Sequence, residues 1–193
     1  MAKLYFKYGA MGASKTAQAL MCKFNYEQKG FQVFLFKTLL DNRTVKNGKG
    51  LVHSRIGLES ECIEFSKDFS FIAYFNNQKF DKDKSVIIVD ECQFLTKEQV
   101  DELKILSLQI PVLCYGLLTN FKTELFEGSK RLVELAESLT EIKSVCRCGR
   151  KATINARFIN GKIATSGEEV MIGADETYEG LCFACYKKLI EEK

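Results

Sequence analysis

Eight residues near the start of the chain, Gly9-Ala10-Met11-Gly12-Ala13-Ser14-Lys15-Thr16, constrain the fold more than any other feature. They follow an aromatic-rich run, Lys3 to Tyr8, that reads as a buried strand ending at Gly9. They lead into Lys15 to Gln28, free of Gly and Pro, with Ala17, Leu20 and Phe24 at helical spacing. In a strand, small-residue loop and helix of this kind, backbone N–H groups can turn toward a phosphate, and the helix N-terminus favours the anion. The order follows G-x-x-x-x-G-K-[ST], except that Ser14 stands where the second Gly belongs. Lys15 can reach terminal phosphates and Thr16 can offer its hydroxyl to Mg²⁺. Ser14 is small, but a side chain is disfavoured if the loop needs positive φ there. The alternative is a plain turn of small residues ahead of an ordinary helix.

The rest of the first 140 or so residues alternates in the same way. Phe31 to Phe36 and Ser85 to Val89 read as strands, and Pro111 to Tyr115 as another, with Pro at its first position where no ladder donor is lost. Thr96 and Gln99 form a capping box opening a helix with Val100, Leu103 and Leu106 on one face. A further helix is expected within Leu125 to Ala136, and Ser138 to Val145 can close the sheet. Strands separated by helix-length segments predict an α/β fold: right-handed β-α-β units with a parallel sheet covered on both faces. Asn42 to Val52 is polar and basic and reads as a mobile loop. Beyond Val145 the pattern changes to a hairpin around Asn160-Gly161, Gly-rich and acidic residues, and a short helix from about Phe183. The expected boundary divides 1–143 from 144–193.

Two clusters carry chemistry besides the loop. The buried run Val86 to Val89 ends at Asp90-Glu91-Cys92-Gln93. A carboxylate at the end of such a strand lies beside a phosphate loop, where Asp90 can hold hydrated Mg²⁺. The acid next to it, Glu91, points elsewhere and is free for proton transfer; alone, such a pair is as readily a solvated turn. Of eight cysteines, Cys22, Cys62, Cys92 and Cys114 are scattered among apolar neighbours, as small hydrophobes. Cys146, Cys148, Cys182 and Cys185 form two close pairs, the pattern of a closed, structural Zn²⁺ site. Redox-active or buried pairs are the alternative, and a Cys₄ site can also hold iron.

Composition narrows the class. Against 25 acidic residues stand 28 basic ones, a net +3, which permits an anionic ligand but lacks the steep basic excess of nucleic-acid domains. A zinc-ribbon nucleic-acid ATPase, with Arg147, Arg150, Lys151 and Arg157 as its binding face, is the rival reading. No apolar run approaches the roughly 18 residues of a membrane span. Lys3 and Lys7 interrupt the opening apolar stretch, unlike a secretory signal, so a cytoplasmic location is expected.

The loop at residue 9, V-D-E-C-Q-F-L, P-V-L-C-Y-G-L and the C-terminal cysteine quartet, in this order within one short chain, resemble the zinc-containing thymidine kinase family, from about Leu4 to Tyr186. The resemblance implies a P-loop (RecA-like) parallel sheet with helices on both faces, plus a small C-terminal zinc-ribbon-like lasso domain. It implies transfer of the ATP γ-phosphoryl group to the thymidine 5′-hydroxyl with Glu91 as general base, and deoxyuridine as a further substrate. Gly9, Ala10, Met11, Gly12, Ala13, Ser14, Lys15 and Thr16 then meet ATP and Mg²⁺, with Asp41 and Arg43 in a D-x-R element and Asp90, Glu91, Cys92 and Gln93 in a second stretch. Met11, Phe94 and Phe121 match base-pocket positions, and Glu169, Val170, Met171, Ile172 and Gly173 match the lasso over thymine. Tyr178 matches the tyrosine that contacts the sugar. A homotetramer, or a dimer, and feedback inhibition by dTTP are implied too, with neither nucleic acid nor membrane as partner.

Overall fold

The computed structural model describes residues 3–39, 45–46, 49–167 and 176–192. Strand β1 (Leu4–Tyr8) leads into helix α1 (Lys15–Glu27), then β2 (Gln32–Thr38), β3 (Val45–Lys46), β4 (Lys49–His53) and β5 (Glu59–Phe65). Helix α2 (Phe71–Asn76) precedes β6 (Ser85–Asp90), a 3-10 turn at Cys92–Phe94, α3 (Lys97–Leu106), β7 (Val112–Gly116), α4 (Glu127–Leu135) and β8 (Ser138–Glu141). These strands join in the order β3-β4-β5-β2-β6-β7-β1-β8. From β5 to β8 every neighbouring pair is parallel, while β3 and β4 add an antiparallel edge.

Alternation along the strands builds two apolar layers. Leu4, Phe6, Phe34, Phe36, Ile87 and Val89 face one way, onto Phe71 and Phe75 of α2, Val100 and Leu103 of α3 and Leu132 of α4. Their neighbours Leu35, Val86, Ile88 and Leu113 face the other way, onto Ala19 and Leu20 of α1. Helices therefore cover both faces, as the strand–helix alternation predicts. The capping box of α3 is present: Thr96 Oγ1 accepts from the Gln99 N–H at 3.2 Å, and Gln99 Oε1 accepts from the Thr96 N–H at 3.1 Å.

Four elements depart from the sequence reading. Within Asn42 to Val52, read as a loop, Lys49–His53 is a strand: Val52 is fully buried and Gly50 to His53 pair with Glu59 to Cys62. Residues 42–44 and 47–48 lie outside the described residues. β5 is rich in glutamate because only part of it is buried, and α2 is six residues long, so neither has the continuous apolar period that marks an element in sequence. Ser138–Glu141 extends the large sheet beside β1, but Ser144–Val145 does not; it belongs to a separate small sheet.

That small sheet pairs β9 (Ser144–Val145) with β10 (Lys151–Ala152). Beside it, β11 (Ile154–Ile159) lies between β12 (Lys162–Ala164) and β13 (Glu176–Leu181), and α5 (Phe183–Glu191) closes the chain. The β11–β12 hairpin turns through Asn160 at φ 50° and Gly161 at φ 74°, the left-handed pair an Asn-Gly turn supplies. Cys146, Ala152, Ala156, Ile163, Leu181, Cys182 and Tyr186 form a separate apolar cluster, and Ala10 of the phosphate loop belongs to it.

Candidate active site

Because β1, β6 and β7 are parallel, their carboxyl ends open on one edge of the sheet, the position where α/β folds bind ligands. There the loop after β1 and the acids ending β6 line a cavity of about 330 Å³. Its walls include Met11 to Ala17, Asp90 and Glu91. The loop is wound as a phosphate cradle demands, with Gly12 at φ 78° and Ser14 at φ 57°, both left-handed. Ser14 thus holds the conformation glycine would adopt freely, and its side chain makes no compensating cap bond. Lys15 folds back so that its ammonium donates to the Gly9 and Ala10 carbonyls at 3.1 and 3.0 Å. Burial pulls its pKa down, while Glu91 and then Asp90 pull the other way.

Asp90 is buried at the end of β6, where desolvation, with Glu91 next to it, raises its carboxyl to about 7. The Thr16 hydroxyl donates to it and the Lys15 charge opposes the rise. Glu91 is half-exposed and left-handed at φ 53°, a strained setting of the kind found at functional sites. Gln93 fixes its carboxylate. The Leu117 N–H donates to Gln93 Oε1 at 2.9 Å, which settles the orientation of the amide, and its Nε2 then donates to Glu91 Oε2 at 2.5 Å. Gly116 makes room for this clamp, since a Cβ there would come within 2.6 Å of both Gln93 Oε1 and Cys92 Sγ. Cys92 has no exposed surface and hydrogen-bonds Cys114, so its thiol braces the turn from below and does not line the cavity. Gln93 is likewise buried, its amide committed to Glu91 and Leu117.

The small C-terminal unit grips the phosphate loop at Met11. Asn155 Oδ1 accepts from the Met11 N–H at 2.8 Å, and Ser144 Oγ donates to the Met11 carbonyl at 3.3 Å. Asn155 Nδ2 also donates to Thr119 O at 2.7 Å, so one buried amide ties together the phosphate loop, β11 and the loop after β7. Gly180 of β13 permits the close approach: a Cβ there would meet Met11 O at 2.7 Å. Asn155, Ser144 and Gly180 were invisible to sequence reasoning, because each acts through a partner far away in the chain. The loop after β7 also carries Phe121, fully buried beneath the Arg157 guanidinium at 4.9 Å from its ring centre, and Phe126, which packs edge-on against Phe94 at 5.8 Å. Tyr178 lies on β13 opposite Arg157. Asp41, Arg43 and Glu169 to Gly173 lie outside the described residues.

The cysteines of both C-terminal pairs converge. The sulfurs of Cys146, Cys148, Cys182 and Cys185 all lie within 4.8 Å of one another, with Cys148 and Cys182 at 3.6 Å. Zn–S bonds of 2.3 Å in a tetrahedron put sulfurs about 3.8 Å apart, so the quartet fits that ion. Arg150 Nε donates to Cys148 Sγ at 3.4 Å, the main cause that brings this thiol down to about 6. The basic residues of the rival reading are partly committed within the chain, Arg150 to Cys148 among them. Arg157 is fully buried against Phe121, and Arg147 and Lys151 pair with Glu179 and Glu141.

The family described as thymidine kinase matches residues 2–186. The chain belongs to the thymidine kinase family. It is 42% identical to the thymidine kinase of Shewanella oneidensis over 193 residues, covering 98% of this chain and 99% of that one. It is 46% identical to that of Zymomonas mobilis over 185 residues, 94% of each, and 43% identical to that of Yersinia pseudotuberculosis over 194 residues, 99% and 97%. The mostly parallel sheet and the C-terminal cysteine cluster are those the family resemblance implies. Among the described residues, no helix is long and apolar enough to cross a membrane.

Proposed function

We propose that the chain transfers the ATP γ-phosphoryl group to the 5′-hydroxyl of thymidine, and of deoxyuridine, giving dTMP in pyrimidine deoxynucleotide salvage. The observation that carries this reading is the meeting of Lys15, Thr16, Asp90 and Glu91 around one cavity under a left-handed glycine- and serine-wound loop. Phosphoryl transfer needs charge placed around the moving group more than covalent chemistry. Loop N–H groups from Gly9 to Thr16 cradle the β- and γ-phosphates, and Lys15 leaves its loop carbonyls to neutralise them. Thr16 and Asp90 would hold Mg²⁺, which supplies positive charge to the phosphate oxygens. Glu91 accepts the 5′-hydroxyl proton as the new P–O bond forms, held in line by the Gln93 amide.

Residues 1–143 form the nucleotide unit in this reading and 144–193 the zinc-binding lasso unit. Zn²⁺ on Cys146, Cys148, Cys182 and Cys185 supplies folding energy, on the order of 10 kcal/mol, to a segment with a small core. By the family resemblance Met11 and Phe94 line the thymine pocket, while Phe121, which the resemblance also assigns to it, is buried against Arg157. Glu169 to Gly173 close over the base, and Tyr178 meets the sugar. Asp41 and Arg43 assist at the phosphates. A homotetramer, inhibition by dTTP and a cytoplasmic location complete the proposal, on the strength of the family resemblance.

The test is ATP-dependent dTMP formation by the wild type beside Glu91→Gln. Loss of a general base predicts a fall of about 10²–10⁴-fold in turnover with nucleotide binding retained. A Glu91→Gln variant keeping a third of wild-type turnover removes Glu91 from the role of base.

A further inference from the structure

The cavity is lined in part by residues from outside the phosphate loop and the acidic pair. Val52, His53, Ser54, Arg55 and Ile56, at the end of β4 and in the turn toward β5, line the same cavity as Lys15 and Glu91. This turn is tightly made. The Ser54 N–H donates to Leu58 O at 2.8 Å, Ser54 Oγ accepts from the Leu58 N–H at 2.9 Å, and Gly57 takes a left-handed φ of 87°. Ser54 and Val52 are buried beneath it, so Arg55 projects from a fixed base.

Arg55 itself is exposed and forms no hydrogen bond or ion pair with the described residues. It lies close enough to Lys15 for its charge to oppose that ammonium. Asp90 and Glu91 already act on the Lys15 ammonium from the same cavity, whereas the Arg55 guanidinium presents an uncommitted planar fork suited to phosphate oxygens. Lys37, buried below on β2 and donating to Leu51 O at 3.2 Å, adds a third positive group to the same cavity.

We propose that Arg55 is a further catalytic residue, an arginine supplied in cis that binds the terminal phosphoryl group of ATP and stabilises the charge spread over its oxygens in the transition state. The proposal rests on the phosphoryl-transfer reading of this cavity. Lys15 grips the phosphates from the loop side, and Arg55 approaches from the β4–β5 side. Charge on both flanks of the γ-phosphoryl group then leaves one direction open, toward Glu91 and the acceptor hydroxyl. A contact of this kind is worth most as the P–O bond breaks, so it is read in turnover more than in substrate affinity.

The experiment compares wild type, Arg55→Ala and Arg55→Lys as full chains, measuring dTMP formation with ATP, and binding of ADP and of a non-hydrolysable ATP analogue. Arg55→Ala should lose about 10²-fold or more in kcat, with thymidine KM within threefold and ADP affinity retained. Affinity for the ATP analogue should fall, and added guanidinium ion should restore part of the turnover. Arg55→Lys should recover little, because a point charge does not reproduce the fork. If wild type makes no dTMP, the phosphoryl-transfer reading itself fails. If wild type is active and Arg55→Ala keeps kcat within threefold, the proposal on Arg55 fails alone. A loss that guanidinium does not relieve and that comes with a lowered melting temperature assigns Arg55 a structural part, and overturns the proposal equally.

Discussion

Ser14→Gly should make the protein more stable. Ser14 sits at φ 57° and ψ 28° in front of α1, exposed, and its hydroxyl accepts no cap bond. Holding a residue with a Cβ in the left-handed region costs about 1–2 kcal/mol. Glycine removes that cost but loses more chain entropy on folding, about 0.5–1 kcal/mol. The net gain is therefore about 0.5–1 kcal/mol, or roughly 1–4 °C in melting temperature for a chain of this size. Ser14→Ala is the matched control. It deletes the same hydroxyl and keeps the Cβ, so it should gain nothing. Thermal melts of the three proteins, each in the same metal-replete buffer, read the difference. An Ala variant as stabilised as the Gly variant, or a Gly variant that melts no higher than wild type, would refute the argument from backbone strain. The loop keeps its winding in the glycine variant, so thymidine phosphorylation should persist.

Asn155→Leu should destabilise the chain by about 2–4 kcal/mol, since it leaves the Met11 N–H and Thr119 carbonyl without their partners in a buried setting. A melt within 1 °C of wild type would show that the bridge contributes nothing. Stripping the metal with a chelator should abolish dTMP formation while most helical signal remains, because α1 to α4 pack on the large sheet and α5 lies beside the cysteine quartet. Metal analysis should find about one zinc per chain beforehand; an active protein with none would defeat the structural-zinc reading.

What the sequence determined by itself was local. The strand–loop–helix at Gly9 to Thr16, the acids ending a buried apolar run, the capping box at Thr96 and the Asn160-Gly161 turn each depend on residues within a few positions of one another. Their physics, meaning the period of burial, caps and positive φ, is therefore written in adjacent letters. The two cysteine pairs are also recognisable, because metal-ligand spacing survives as short intervals. Strand β4 and glutamate-rich β5 were not legible, since what buries Val52 and Phe65 is contact with elements elsewhere and not a pattern along the chain.

The working arrangement of the site was decided by the tertiary structure. Only packing could place Asn155 against Met11 across 144 residues, set Gln93 between Leu117 and Glu91, bury Arg157 on Phe121, or bring Arg55 to the same cavity as Lys15. Each of these contacts needs a partner whose position depends on strand order and on the close approach that Gly116 and Gly180 allow. Even the meaning of Ser14 waited on the fold. In sequence it was a departure from a pattern, and the backbone angle made it a strained residue with a definite sign and size of effect.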